Sequence, residues 1–193
     1  SYIFDTEEVI VQTPTFSFED YLDCRGFAYI IQAVYNDSNF PELIRFLKEN
    51  NVPAYDWLLD IFERLSNLNT HPAQQLSSFL LETERELWAS EEELHHYYSQ
   101  EKKFQKLLTG DLGGNLLAKY TYLARFNGFQ SWLDIILLSA ENLLKASHNN
   151  VSDTEISTII RDFRTYYMYT RDLRKLFREK TVAALRQEKS FSL

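Results

Sequence analysis

The chain has a single cysteine, Cys24, among its 193 residues. No disulfide can form within it, so a secreted fold stapled by cross-links is excluded. Glycine and proline are also scarce, at five and four. A sheet-rich fold needs such turn residues at short intervals, so their shortage favours helices. No apolar run approaches the roughly 18 residues that a membrane-spanning helix requires. No secretory leader is visible, and the cytoplasm is the expected location. No motif recurs with a period of roughly 20–50 residues, so nothing marks a solenoid.

What is present is a large aromatic load and an uneven charge. Phe, Tyr and Trp make up 15% of the chain, more ring surface than a polar exterior can leave uncovered. The length suits one domain with a real core. Net charge is −8, yet residues 161–189 hold nine Lys/Arg against four Asp/Glu, so that stretch is +5 and the rest is −13. The acidic body makes nucleic acid an unlikely partner for the whole chain, while the basic tail leaves a local exception open.

Residues 1–16 differ from the rest. Glu8–Thr13 is β-prone and Pro14 blocks an earlier helix start, which predicts an extended strap or linker whose Val and Ile side chains pack on something. Residues 17–193 read as an all-α domain of about eight helices packed as a bundle with short loops. Ser17 with Asp20, Ser90 with Glu93, and Ser152 with Glu155 have the spacing of capping boxes. The first helix is expected to bury a stripe of Phe18, Tyr21, Leu22, Ala28 and Ile31 and to end near Asn36–Ser38. A fifth is expected to run unbroken to Leu108. Gly128 is expected as a left-handed stop, and the last helix to kink near Thr170.

Four features invite chemistry. Cys24 alone cannot hold a metal cluster and reads as a small, partly buried hydrophobe. His95 and His96 each follow a glutamate by three residues (Glu92, Glu93), but no second Glu-x-x-His exists, and adjacent histidines diverge by about 100° on a helix. The turn Gly110-Asp111-Leu112-Gly113-Gly114-Asn115 lacks the Gly-Lys-Ser/Thr of a phosphate loop. It reads as a helix stop at Gly110, a close backbone approach at Gly113 and Gly114, and a cap at Asp111 or Asn115. The run from Tyr166 to Arg171, continued by Arg174, Lys175 and Arg178, mixes rings with cations. That mixture suits single-stranded nucleic acid or an anionic ligand, and equally an amphipathic last helix.

The segments Thr13–Asp37 and Gly110–Tyr120, in this order, resemble the region after the catalytic barrel in cobalamin-binding radical SAM proteins. That family includes the anaerobic Mg-protoporphyrin IX monomethyl ester cyclases. The likeness extends from about Glu8 to about Leu144 and includes Asp56–Leu59. It implies a C-terminal helical domain without catalytic residues, joined by the strap at 1–16 to an upstream barrel in the same chain. S-adenosylmethionine, an iron–sulfur cluster and cobalamin are implied for that larger parent, a methyltransferase or oxidative cyclase. The family's Cys-x3-Cys-x2-Cys motif is absent here, so no cofactor, metal or catalytic residue carries over. The surface expected to face the barrel comprises the strap, the turn with Gly110, Asp111, Gly113, Gly114 and Asn115, and the face with Tyr166 and Tyr169. Left uncovered, it implies a weak homodimer. The rival reading is a stand-alone helical interaction or regulatory module that binds a protein or nucleic acid through its basic last helix.

Overall fold

Small polar side chains fix where the helices begin. Ser17 Oγ accepts the Asp20 N–H at 3.1 Å, and the Asp20 carboxylate accepts the Ser17 N–H at 2.7 Å. Ser152 and Glu155 make the same reciprocal pair, and Ser90 accepts from Glu93. Each contact satisfies a backbone donor that a helix start would otherwise leave orphaned. Thr70 and Asn115 cap two more helices.

The computed structural model describes residues 6–109, 113–147 and 151–190, with side chains described as far as 171. Its helices are α1 (Phe18–Ile30), α2 (Pro41–Glu49), α3 (Ala54–Asn67), α4 (His71–Arg85), α5 (Glu91–Tyr98), α6 (Glu101–Thr109), α7 (Leu116–Phe126), α8 (Phe129–Ala146) and α9 (Asp153–Ser190). The fold is all-α, and among the described residues there is no strand, only one bridge between Thr13 and Phe16. No described helix is long and apolar enough to cross a membrane. Residues 6–16 run over the surface, and the Thr6 hydroxyl reaches Glu91 at 3.4 Å.

The core lies where α1, α3, α4, α7 and α9 surround α8. Trp57 is fully buried and donates its indole N–H to the Ile136 carbonyl at 3.1 Å. Trp132 donates to Gln75 Oε1 at 2.6 Å. Tyr29 packs against Phe79, Tyr120 and Trp132 and donates to the Tyr120 carbonyl at 3.3 Å. Each large ring thus contributes apolar area while its polar atom stays partnered.

Two helix ends are completed by distant side chains. After Ile30 the chain widens into a π turn (Ile31–Tyr35) and a short 3-10 turn (Asn36–Ser38), with Asp37 and Ser38 left-handed at φ 61° and 51°. Arg125 of α7 closes this end, donating to the carbonyls of Gln32 (2.7 Å) and Asn36 (3.4 Å) and to Asp37 Oδ2 (2.9 Å). Helix α2 has no side-chain cap from its own segment. Instead the Tyr167 hydroxyl of α9 accepts the Leu43 N–H at 3.0 Å. Tyr167 does in trans what a serine ordinarily does at the helix head.

Several expectations need correction. The expected fifth helix is two, α5 and α6. Ser99 turns its hydroxyl onto the His96 carbonyl, and the Gln100 carbonyl then accepts from Lys103 and Phe104 to start again. The α1 stripe is rotated: Gly26, Tyr29, Ile30, Ala33 and Val34 are buried, while Phe18, Tyr21, Leu22, Ala28 and Ile31 are only half-buried. Helix α1 contacts α3, α4 and α7 at once, so no single stripe describes its core face. Gly128 is not left-handed, at φ −131°; a Cβ there would meet the His71 ring at 2.8 Å, so it is close approach that suits glycine. Helix α9 runs without a break through Thr170. Cys24 is exposed on the outer side of α1 rather than partly buried.

Candidate functional site

The residues expected to form one docking surface fall into two places. Gly110 and Asp111 lie outside the described residues. Gly113 adopts φ +56°, and a Cβ on it would come within 2.6 Å of Leu107 Cδ1. Both the left-handed backbone and the crowding call for glycine. Gly114 faces open space, and its N–H donates to Glu86. Asn115 accepts the Ala118 N–H at 2.9 Å and starts α7. Loss of water around the Glu86 carboxyl, and then the charge of Glu82, push it up, against the pull of Gly114, Arg25 and Lys119.

Tyr166 shares a cleft with Phe126 and Asn127 at the other end of α7, about 16 Å from Asn115 along an eleven-residue helix, and Tyr169 lies three residues further along α9. Both are exposed, at 43% and 65%. Tyr166 donates to Glu42 Oε1 at 3.0 Å, and Tyr167 to Glu42 Oε2 at 3.2 Å. Burial pushes the Tyr167 hydroxyl well above the usual tyrosine range, and the Glu42 carboxylate pushes the same way, against the Leu43 N–H. The basic positions 174, 175 and 178 lie beyond the described side chains.

Between the start of α2, the end of α7, the start of α8 and the middle of α9 lies a cleft of about 770 Å³. Buried Phe40, Trp132 and Tyr167 line its inside. Exposed Tyr122, Phe126 and Tyr166 stand at its rim. The rings are ordered against one another: Phe40 and Phe129 are parallel within 3°, and Tyr122 stacks on Phe126 at 4.6 Å. The Arg171 guanidinium lies 4.1 Å from the centre of Phe129 and 5.2 Å from that of Phe126, a cation held on two π faces.

This cleft is not among the surfaces expected from the sequence. A signal was available, because Tyr122 and Phe126 sit four apart on α7 and off its buried face of Leu116, Tyr120, Thr121 and Ala124. Rings placed off the core stripe point to a second surface. His95 pairs with Glu91 at 3.3 Å, one turn back. Among the described residues no three His, Cys, Asp or Glu side chains gather as a metal site would require. No protein-family model matches the chain, and no curated protein or solved structure is significantly similar to it.

Proposed function

We propose that the chain is a non-catalytic helical domain of a cobalamin-dependent-type radical SAM enzyme, of the methyltransferase or oxidative cyclase class. In this reading it packs on the upstream barrel and shapes substrate access. The observation that carries the reading is the uncovered strap. Val9 and Ile10 are 48% and 75% exposed in an extended segment that forms no strand with the helices. β-branched residues in such a segment suit burial against another domain. A second support is that the two segments carrying the family resemblance meet in space. Tyr29, from the first, packs edge-on against Tyr120, the last residue of the second, at 6.2 Å. In this reading they would form one packing unit behind the surface that meets the barrel.

The radical chemistry would belong to the parent's barrel, where S-adenosylmethionine and the cluster would be held, with cobalamin in a further upstream domain. This chain would contribute surface and shape. The test is to sequence the coding region upstream of Ser1. An in-frame Cys-x3-Cys-x2-Cys followed by barrel-length sequence is the expected result. A start codon directly before Ser1 would overturn the reading and favour the stand-alone interaction module.

A further inference from the structure

We propose that the cleft bounded by α2, α7, α8 and α9 binds one uncharged planar molecule, an aromatic ring system with an amide-like edge. The rings would lie against Tyr122 and Tyr166, and the edge would meet the Asn127 carboxamide.

Size and lining come first. A volume of about 770 Å³ falls within the range of sites that enclose a small organic ligand. Such sites combine apolar walls with a few polar groups that fix orientation. Here the inner wall is built from Phe40, Phe129 and Trp132. At the rim, Tyr122 and Tyr166 keep 51% and 43% of their surface exposed. Tyr122 stacks on Phe126 with one face, and among the described residues no second ring covers the other. An accessible ring face of this kind takes a flat guest in offset stacking.

The charged groups decide against an ion. Arg125 is taken up by Asp37 and by the carbonyls of Gln32 and Asn36. Arg171 lies over Phe129 and Phe126 and has a further interaction besides. Glu42 accepts from Tyr166 and Tyr167. These three are the charged residues of the lining, and each is already engaged within the protein. An ionic guest would shed its hydration for contacts that are in use, whereas an uncharged ring loses little on entry.

The polar edge follows from Asn127, which lines the cleft at the end of α7 and is exposed. Its backbone N–H closes the helix on the Leu123 carbonyl at 2.9 Å, so the side chain is not spent on the cap. Among the described residues its carboxamide has no hydrogen-bond partner. A carboxamide presents a donor beside an acceptor. Its complement is another such pair: a primary amide, a lactam, or the edge of a neutral nitrogen heterocycle.

The backbone beside the cleft points the same way. Ala33 belongs to the π turn at Ile31–Tyr35, and Asn39 follows the left-handed Asp37 and Ser38; both line the cleft. π turns and left-handed residues other than glycine carry a conformational cost and gather at binding sites.

The site does not depend on a barrel partner. An upstream frame without the three cysteines would leave it standing, and a failed titration would leave the docking reading standing.

The test uses the whole purified chain and three probes that share one ring pair. 2-Naphthamide carries the neutral edge, naphthalene lacks it, and 2-naphthoate replaces it with a charge. Equilibrium dialysis should find one naphthamide per chain at saturation. Tryptophan emission should fall as it binds, because Trp132 lines the cleft. Naphthalene and naphthoate should each bind about fivefold more weakly, as the loss of one neutral hydrogen bond allows. Asn127→Ala should bring naphthamide down to the affinity of naphthalene and leave naphthalene itself unchanged. Tyr122→Ser should weaken all three. Melting curves establish that each variant is folded. Naphthoate binding as tightly as naphthamide, equal affinity for naphthamide and naphthalene, or several molecules per chain would overturn the proposal. So would the absence of saturable binding, or a naphthamide affinity that neither substitution changes.

Discussion

Helix α8 and the pair α5–α6 invert the usual relation between local signals and burial. Helix α8 starts at Gly128 with no side-chain cap, yet eight of its 18 residues are buried. Helix α5 starts with the Ser90 cap and three glutamates in its first turn, yet neither it nor α6 buries a residue. The pair is held by a local cluster instead: Trp88 lies 4.9 Å from Tyr97, Tyr97 packs edge-on against Tyr98, and the Lys103 ammonium sits over Tyr97 at 4.5 Å. Caps decide where a helix begins. Burial decides how firmly it is kept, because short helices are marginal in water without tertiary packing. The two regions should therefore open at very different free energies.

Breaking the α8 side should cost most. Trp57→Ala removes a fully buried ring and leaves the Ile136 carbonyl without its indole donor. A loss of about 3–5 kcal/mol is expected from urea unfolding, with every region melting together. Arg125→Met comes next, because it strips the end of α1 of the donors to Gln32, Asn36 and Asp37. Leaving such carbonyls unmet costs about 1–3 kcal/mol, and amide exchange should rise first across 31–38.

High pH should act most on the core and less on the α5–α6 pair, where burial also pushes the Tyr98 hydroxyl up. Burial pushes the hydroxyls of Tyr29 and Tyr167 far up and that of Tyr120 to about 12, aided there by its hydrogen bond to Glu82. In the unfolded chain these groups ionise near 10. A raised folded value means that the stability they contribute is complete below pH 10 and is lost as pH rises beyond it. Tyrosinate absorbance and circular dichroism should change together in that window, and Tyr29→Phe should lessen the loss. The smallest effect belongs to Trp88→Ala. It should shift global stability by under about 1 kcal/mol while amides of 91–109 exchange faster. If Trp88→Ala instead unfolds the chain as Trp57→Ala does, the two regions are one cooperative unit.

Much of this fold was legible in the sequence. The caps at Ser17, Ser90 and Ser152 depend only on neighbours a turn or two away. The turn at Ser99–Gln100 was not legible, because it arises from side-chain competition for backbone groups that the polar run around it hides. The core face of α1 was hidden for the opposite reason: apolar residues surround it, and only contacts with three other helices select Tyr29 and Ile30. Of the candidate site, Tyr166 and Arg171 stood out as rings beside cations. Their partners Phe40, Tyr122 and Phe129 come from three separate elements, and no spacing rule joins them.

The cap that Tyr167 supplies to α2 also has a consequence for the order of folding. Leu43 and the hydroxyl that receives its N–H are 124 residues apart. A ribosome adding about 5–20 residues per second releases Tyr167 roughly 6–25 s after Leu43. Through that interval α2 has every residue it needs except its own first-turn acceptor. Its N-terminus should stay frayed on nascent chains that stop before α9 and tighten only when α9 emerges. Pulse-labelling the Leu43 amide on chains stalled before and after residue 167 would time the event. Protection before Tyr167 is synthesised would mean that α2 closes without it.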